Sequence, residues 1–303
     1  MMTDSTLLWV PFTLAAALAQ VLRNAAQSRL ASRIGTVGGT QVRFIYGLPL
    51  AILFLGIFHI ATGEGLAAVP IDALAWSAVG SVTQIVATAL MLVVMQKRDF
   101  GVAYAYIKTE PVTVAVLGFA LIGDRLPLGS WLAVLVVTFG VVMASLRPGD
   151  GGAKLFEVKP LAVGVVSGAL FGLTSICFRA SIEAVPEGSF MLRSLLMLVV
   201  SLGIQSSVLV GWFVLRDASG FFGSIREWRL SVTGGALGAL ASAGWFIGFS
   251  LTAAANVRTL ALIEMPIVAL VSRKLSGRWL TAREWAGFVL ITVGVALLMV
   301  SHA

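Results

Sequence analysis

Long apolar stretches of about 20 residues, separated by short polar connections, follow one another along the whole of this 303-residue sequence. A helix of about 20 apolar residues is long enough to cross a bilayer. Because a spanning segment must satisfy its own backbone hydrogen bonds in lipid, these stretches are predicted to be α-helices. Ten of them fit: Leu7–Ala26, Val37–Ile60, Ile71–Met95, Gly101–Ile122, Leu128–Leu146, Pro160–Arg179, Gly188–Leu215, Leu230–Thr252, Asn256–Ser272 and Leu280–Ser301.

The second half of the chain repeats the first at an offset of 154 residues. Between residues 110–145 and 264–299, ten of the thirty-six aligned positions are identical without a gap. The most informative matches are Glu110/Glu264, Gly123/Gly277, Trp131/Trp285, Thr138/Thr292 and Gly140/Gly294. A period of half the chain predicts one unit used twice. Residues 1–147 form the first predicted five-helix repeat, residues 148–159 a linker, and residues 160–303 the second repeat.

An odd number of spans in each unit makes the second unit enter the membrane from the opposite side. The predicted fold is therefore an all-α polytopic membrane protein of ten transmembrane helices, arranged as two inverted five-helix repeats. Inverted repeats are typical of secondary transporters, whose substrate site lies near the bilayer midplane between the repeats.

The composition argues against a soluble protein. The chain is 58% hydrophobic and 12% charged, whereas soluble domains carry about 25% charged residues. One cysteine and two distant histidines give no pattern for a metal site, and no cofactor is expected. The net charge of +7 is assigned to topology and to anionic membrane lipids. Nucleic acid is not an expected partner, because its binding needs a basic face on a soluble surface.

Lysine and arginine are distributed unevenly between the connections. Counted together with the adjoining ends of the spans, the connections after odd-numbered spans hold fifteen, Arg23 among them, and those after even-numbered spans hold three, Arg258 among them. Since basic residues are retained on the cytoplasmic side, the odd connections are predicted to be cytoplasmic. Both termini are then predicted to lie outside, on the periplasmic side.

Glycines four residues apart share one helix face in two of the predicted spans. They are Gly164, Gly168 and Gly172 in the sixth span, and Gly234/Gly238 and Gly244/Gly248 in the eighth. Small residues at this spacing let helix backbones approach closely in lipid. We expect them to serve packing within one chain, which predicts a monomer, with a homodimer as the alternative.

Two acids inside the spans are the first candidates for a substrate site. Each precedes a proline within its helix: Glu110 with Pro111, and Glu264 with Pro266. Because proline has no N–H, the carbonyls of Ile107 and Leu262, four residues earlier, lose their usual donor. An acid beside such an opened turn is suited to bind a substrate ammonium group or a proton. A structural kink whose acid pairs with a nearby arginine is the alternative.

Basic residues inside the spans are the natural counter-charges. Arg43 and Arg193 are predicted to bind a substrate carboxylate through bidentate guanidinium hydrogen bonds. An internal salt bridge to one of the two acids, or anchoring at the membrane surface, is the alternative for each. Lys108 and Tyr104 are one helical turn apart and share a face, and Arg258 is the repeat equivalent of Tyr104. These three are predicted to line the same cavity.

Two aromatic residues complete the predicted substrate-binding set, Tyr46 in the second span and Trp245 in the eighth. Both are predicted to sit deeper than the membrane interface. An aromatic wall suits an organic substrate, but filling of the helix bundle suits these side chains equally well.

The two halves resemble the EamA-like branch of the drug/metabolite transporter superfamily. Each half ends in a helix with an acid and a proline, a short Gly-x-x-Leu connection and a last helix with a central glycine. The resemblance implies a ten-helix bundle with a central cavity in a bacterial inner membrane. It also implies export of amino acids or related metabolites, by exchange or by coupling to a proton gradient. The chain departs from the family at Asp124 and Arg278, where glutamate is usual, and in the predicted outside location of its termini.

A secondary transporter of amino acids or similar small organic metabolites, working by alternating access, is the function these features predict. A zwitterion needs an acid and a base in one cavity, and the ionisable groups above supply both. Efflux of drugs or organic cations is an alternative. Transport of sugar nucleotides or other organic anions is a third, favoured if the arginines have no internal partner. No nucleophile–base pair is recognisable, so an enzyme is not expected.

Overall fold

The computed structural model describes residues 7–97, 107–108, 110–145, 158–216, 218–265 and 281–301. Within these ranges the chain consists of α-helices and short connections, without a strand. The helices are α1 (Trp9–Ile45), α2 (Leu48–Thr62), α3 (Ile71–Lys97), α4 (Glu110–Ile122), α5 (Leu128–Ser145), α6 (Val158–Glu183), α7 (Phe190–Leu215), α8 (Ser219–Arg226), α9 (Trp228–Leu251), α10 (Ala254–Ala261) and α11 (Ala282–Val300). The all-α prediction is confirmed for this part of the chain.

A reversal at Gly35 divides α1 into two helical segments, residues 9–34 and 36–45. Gly35 has a φ of +81°, in the left-handed region that glycine adopts most readily. Across it, the side-chain amide of Gln27 donates to the carbonyl of Gly39 at 3.0 Å, although these residues would be about 18 Å apart in a straight helix. The two segments are therefore antiparallel, as the first two spans were predicted to be. The connection is shorter than the predicted one over residues 27–36.

The second span is broken, although the sequence predicted it to be continuous. A turn at Tyr46 and Gly47 separates α1 from α2. Pro49 has no N–H to donate to the carbonyl of Ile45, so the helical hydrogen-bond ladder stops there. As a result Arg43 occupies the last turn of α1, next to a helix end in the interior.

Among the described residues, six helical segments are long and apolar enough to cross a membrane, judged by length and composition: Trp9–Thr62, which the breaks at Gly35 and at residues 46–47 divide, Ile71–Gln96, Leu161–Glu183, Phe190–Leu215, Trp228–Leu251 and Ala282–Val300. The helices α4 and α5 are apolar but shorter. A chain with these segments is a polytopic membrane protein. The count of ten spans stays a prediction, because the start of the fourth span, the end of the ninth and most of the linker lie outside the described residues. The helix α8 lies in a stretch that was predicted to be a connection.

The helices α5 and α11, which the sequence repeat relates, cross in close contact. A Cβ atom placed on Gly140 of α5 would lie 2.8 Å from the carbonyl oxygen of Gly287 of α11. Further along the crossing, Gly294 of α11 faces Ala133 and Val137 of α5. The helices are therefore antiparallel. When each residue is replaced by its repeat equivalent 154 positions away, the contact of Gly140 with Gly287 becomes the contact of Gly294 with Ala133. This local two-fold relation supports the inverted repeat, which for the whole chain stays a prediction.

The other extensive helix pairs are α1 with α9 and α3 with α6. The sequence repeat relates the first span (in α1) to the sixth (α6), and the third (α3) to the eighth (α9). It therefore relates the α1–α9 pair to the α6–α3 pair. In α9 the glycines face α1: a Cβ on Gly244 would lie 2.7 Å from the carbonyl oxygen of Phe12, and one on Gly238 would lie 3.1 Å from the Cβ of Arg43. These two glycines therefore pack within one chain, while the monomer stays a prediction.

Polar contacts at the two ends of the bundle sort the connections into two groups. At one end, Arg33 pairs with Glu227 at 2.8 Å, joining the first and seventh connections. At the other end, Arg179 pairs with Asp124 at 3.2 Å and donates to the carbonyl of Thr252. These contacts join the fourth, sixth and eighth connections. In these contacts odd and even connections lie at opposite ends, as alternating spans require.

Candidate functional site

Among the described residues, six ionisable side chains converge inside the bundle, and none is more than 4% exposed. This charge cluster consists of Arg23, Arg43, Lys108, Glu110, Arg258 and Glu264. Five of the six lie at interrupted helices, namely near the end of α1, at the start of α4 and around the end of α10. Ionisable groups at membrane depth are costly and are candidate functional groups by default. Interrupted helices near the midplane also form the substrate sites of many transporters.

Two ion pairs cross the cluster, and each joins the first half of the chain to the second. The Nζ atom of Lys108 lies 2.6 Å from Oε1 of Glu264. A guanidinium nitrogen of Arg258 lies 3.4 Å from Oε1 of Glu110. Glu110 therefore has an arginine partner, as the alternative interpretation predicted for both acids, whereas the partner of Glu264 is a lysine. The partners that the sequence suggested, Arg43 and Arg193, are replaced in these pairs by Lys108 and Arg258.

Arg258 is held from several sides. Its Nε atom donates to Oγ of Ser175 at 2.9 Å. Its guanidinium lies 4.6 Å from the ring centre of Trp245 and 5.4 Å from that of Phe249, within the range of a cation–π contact. The indole N–H of Trp245 in turn donates to Oε1 of Gln20 at 3.2 Å. Trp245 thus packs against the charge cluster through Arg258, and its part in a substrate-binding wall stays a prediction.

Arg43 has neutral partners among the described residues. It donates to Oγ1 of Thr88 at 3.4 Å, and its guanidinium lies 4.9 Å from the ring centre of Phe44. Arg23 and Arg258 are near enough for their positive charges to oppose that of Arg43. The structure therefore brings three guanidinium groups into one buried neighbourhood.

The helix ends at the cluster match the charges placed on them. Arg43 lies in the last turn of α1 and Arg258 in the last turn of α10, where the helix dipole is negative. Glu110 lies in the first turn of α4, where the dipole is positive. Favourable dipole interactions reach about 2 kcal/mol each in partly buried sites. They offset part of the cost of burying these charges.

A cavity of about 20 Å³ lies within the cluster. It is lined by Gln20, Arg23, Asn24, Met91, Ile107, Lys108, Glu110, Phe171 and Arg258. A cavity of this size holds roughly one water molecule, so the described residues leave no room between them for an organic solute. Among these residues, binding of a solute requires the helices around the cluster to move apart.

Gly168 of α6 sets the position of the turn before α4. A Cβ on Gly168 would lie 2.5 Å from the carbonyl oxygen of Ile107, one of the two carbonyls that the sequence predicted to lose their donor to proline. The glycine therefore allows the backbone next to Lys108 to lie against α6. The other such carbonyl, that of Leu262, accepts from the N–H of Met265 at 3.0 Å, so a tighter turn replaces the lost bond.

Besides Trp245, three predicted site residues are not members of the charge cluster. The hydroxyl of Tyr46 hydrogen-bonds to Oγ of Ser224 on α8 at 3.1 Å. Arg193, in the first turn of α7, acts electrostatically on Glu183 at the end of α6. Tyr104 lies outside the described residues. The quasi-symmetric placement of Arg43 and Arg193 therefore does not bring both to one site in this conformation.

The sequence interpretation placed Arg23 in a connection, but the structure buries it beside the cavity. A signal for this was present in the helical spacing of Gln20, Arg23, Asn24 and Gln27, which put four polar side chains on one face of an otherwise apolar helix. All four are buried. Arg258, counted among the even connections, is likewise buried. Without Arg23 and Arg258 in the count, lysine and arginine are still concentrated in the odd-numbered connections. The orientation of the termini stays a prediction.

The sequence of this chain has relatives among known proteins, although no family model matches it. It is similar to the "uncharacterized inner membrane transporter YedA" of Escherichia coli strain K12, at 28% identity over 145 residues, which are 47% of this chain and 44% of the relative. The proteins of that name from strains O6:H1 and O157:H7 match to the same extent. The match thus spans about half the length of these relatives.

A likeness in three dimensions extends much further. A protein of known crystal structure superposes with a TM-score of 0.62 over 94% of this chain and 98% of its own, at 16% identity. At that identity the likeness concerns the fold alone.

Proposed function

We propose that the chain is a secondary transporter of the EamA-like branch of the drug/metabolite transporter superfamily, located in a bacterial inner membrane. The observation that carries this proposal is the buried charge cluster, which is assembled from both halves of the chain at interrupted helices. The partial similarity to an inner membrane transporter supports it. So does the antiparallel, two-fold crossing of α5 and α11.

The two ion pairs that join the halves support alternating access as the proposed mechanism. The pairs of Lys108 with Glu264 and of Arg258 with Glu110 hold the halves together around a cavity that, among the described residues, is too small for a solute. A solute that offers its own charged groups to these residues replaces the internal partners and lets the halves separate. A ligand shifts such an equilibrium only by its difference in affinity for the two states, and exchange of partners supplies that difference.

Amino acids and similar small metabolites with a carboxylate are the proposed substrates, and export is the proposed direction. The cluster offers acids for an ammonium group and guanidinium groups for a carboxylate. Efflux of organic cations is less well supported, because both acids already have basic partners and further arginines surround them.

The purified chain in proteoliposomes is expected to accelerate the flux of at least one radiolabelled amino acid or carboxylate. Glu110→Gln and Glu264→Gln are each expected to lower that flux at least tenfold, because each removes the negative charge from a buried ion pair. A panel of acidic, neutral and basic amino acids with simple carboxylates covers the proposed class.

Arg33→Gln is the matched control, since the Arg33–Glu227 pair is exposed and lies at the end of the bundle. Its flux is expected to equal that of the wild type. If every solute crossed the proteoliposome membrane no faster than it leaks from protein-free liposomes, the transporter proposal would be contradicted. Equal flux for wild type and both glutamate variants would remove the acids from the mechanism.

A further inference from the structure

We infer that the transported solute carries a net negative charge, and that Arg43 is the group that binds its carboxylate. This inference rests on the proposed function. It narrows the proposed substrates from amino acids in general to small carboxylates whose net charge is −1 or more negative, such as acidic amino acids and dicarboxylates.

The balance of charges in the cluster is the first reason. Among the described residues it contains four basic groups and two acids. Without Arg23 the balance is still three basic groups, Arg43, Lys108 and Arg258, against the two acids. Each acid is within ion-pair distance of a base other than Arg43. Arg43 therefore has no acid within ion-pair distance among the described residues, and a solute with a net negative charge supplies one.

The surroundings of Arg43 are the second reason. Its contacts in the described part of the chain are the hydroxyl of Thr88 and the ring of Phe44, and neither carries charge. Two more guanidinium groups oppose it. A buried cation in such a place is stabilised by an incoming carboxylate, which pairs with a planar guanidinium through two parallel hydrogen bonds.

The position of Arg43 explains how a solute reaches it. Arg43 does not line the small cavity, but its neighbours Arg23 and Arg258 do. It also lies just before the break between α1 and α2, where the backbone is already interrupted. Widening of the cavity towards this break would expose Arg43 to the solute. The amides of Gln20 and Asn24, which line the same cavity, supply neutral hydrogen-bonding groups for the rest of the molecule.

Pairs of solutes with the same shape and different charge provide the test. Wild-type chain in proteoliposomes is expected to move glutamate at least tenfold faster than glutamine, and aspartate at least tenfold faster than asparagine. Succinate is expected to compete with labelled glutamate, and succinamide is not. This comparison needs no variant, so folding defects do not affect it.

Arg43→Gln is expected to lower glutamate flux at least tenfold while the slow glutamine flux stays the same, so that the ratio of the two approaches one. Arg43→Lys retains the positive charge but not the planar guanidinium that forms two parallel hydrogen bonds. Its glutamate flux is expected to lie between those of the wild type and Arg43→Gln. A melting temperature in detergent checks that each variant is folded, and Arg33→Gln should retain the wild-type ratio.

The outcomes separate the two proposals. Glutamine transported as fast as glutamate, or lysine transported fastest, would overturn the inference while transport itself stands. An unchanged glutamate-to-glutamine ratio in folded Arg43→Gln would overturn the role of Arg43. Absence of flux for every solute would overturn the inference together with the proposed function.

Discussion

Arg258→Gln is expected to abolish transport and to lower the free energy of unfolding by about 3–5 kcal/mol, the usual cost of removing one partner from a buried ion pair. The change leaves Glu110 charged and buried beside α10. It also removes the cation from the rings of Trp245 and Phe249, together with the hydrogen bond that Nε of Arg258 donates to Oγ of Ser175. Reversible unfolding of the purified protein in mixed micelles measures the stability, and proteoliposome flux measures transport.

The double variant Glu110→Gln/Arg258→Gln separates these two effects. It replaces the ion pair with two neutral amides, so most of the lost stability is expected to return while transport stays absent. Arg33→Gln is expected to change stability by less than about 1 kcal/mol, because exposed ion pairs contribute little. A stable and fully active Arg258→Gln variant would show that Arg258 has neither role.

Gly168→Ala is expected to destabilise the protein by about 1–3 kcal/mol, the usual effect of an added group in a tightly packed interior. The new Cβ would lie 2.5 Å from the carbonyl oxygen of Ile107, so the backbone next to Lys108 has to move. Movement of that turn also disturbs the Lys108–Glu264 pair, and a lower flux is expected. Melting temperature and flux together report both consequences.

Gly203→Ala is the matched control, because a Cβ on this glycine of α7 meets nothing within 4 Å. Replacing a helical glycine by alanine is expected to stabilise by about 0.5–1 kcal/mol when there is room. The two substitutions are chemically identical and are expected to have opposite signs. A melting temperature that rises in both would mean that α6 does not fix the position of the turn.

Helix content and interior polar groups were largely predictable from the sequence, because lipid imposes a strong rule on the backbone and on charge. Glu110, Glu264, Arg258 and Lys108 were selected for that reason, and the structure places them together. Their pairing was not predictable, because it depends on where the interrupted helices end. Arg258 reaches Glu110, and Lys108 reaches Glu264, across the two halves.

Two other features are not visible in average hydrophobicity. The reversal at Gly35 requires a left-handed glycine, and nothing in the apolar pattern distinguished it from the neighbouring glycines at 38 and 39. Arg23 was assigned to a connection because basic residues usually lie there. The polar face that it shares with Gln20 and Asn24 was the better signal, since helical spacing reports which side of a helix is buried.

Chemical labelling of a cysteine in the cavity tests the central claim, that the charge cluster is the transport site, most directly. The only cysteine of the chain, Cys177, is buried, so Cys177→Ala removes the background. Met91→Cys then places a thiol in the cavity lining without changing a charge. We predict that charged methanethiosulfonate reagents modify it from each side of the membrane in turn, and that glutamate protects it. A thiol that reacts from neither side, or reacts equally with and without every transported solute, would contradict this account.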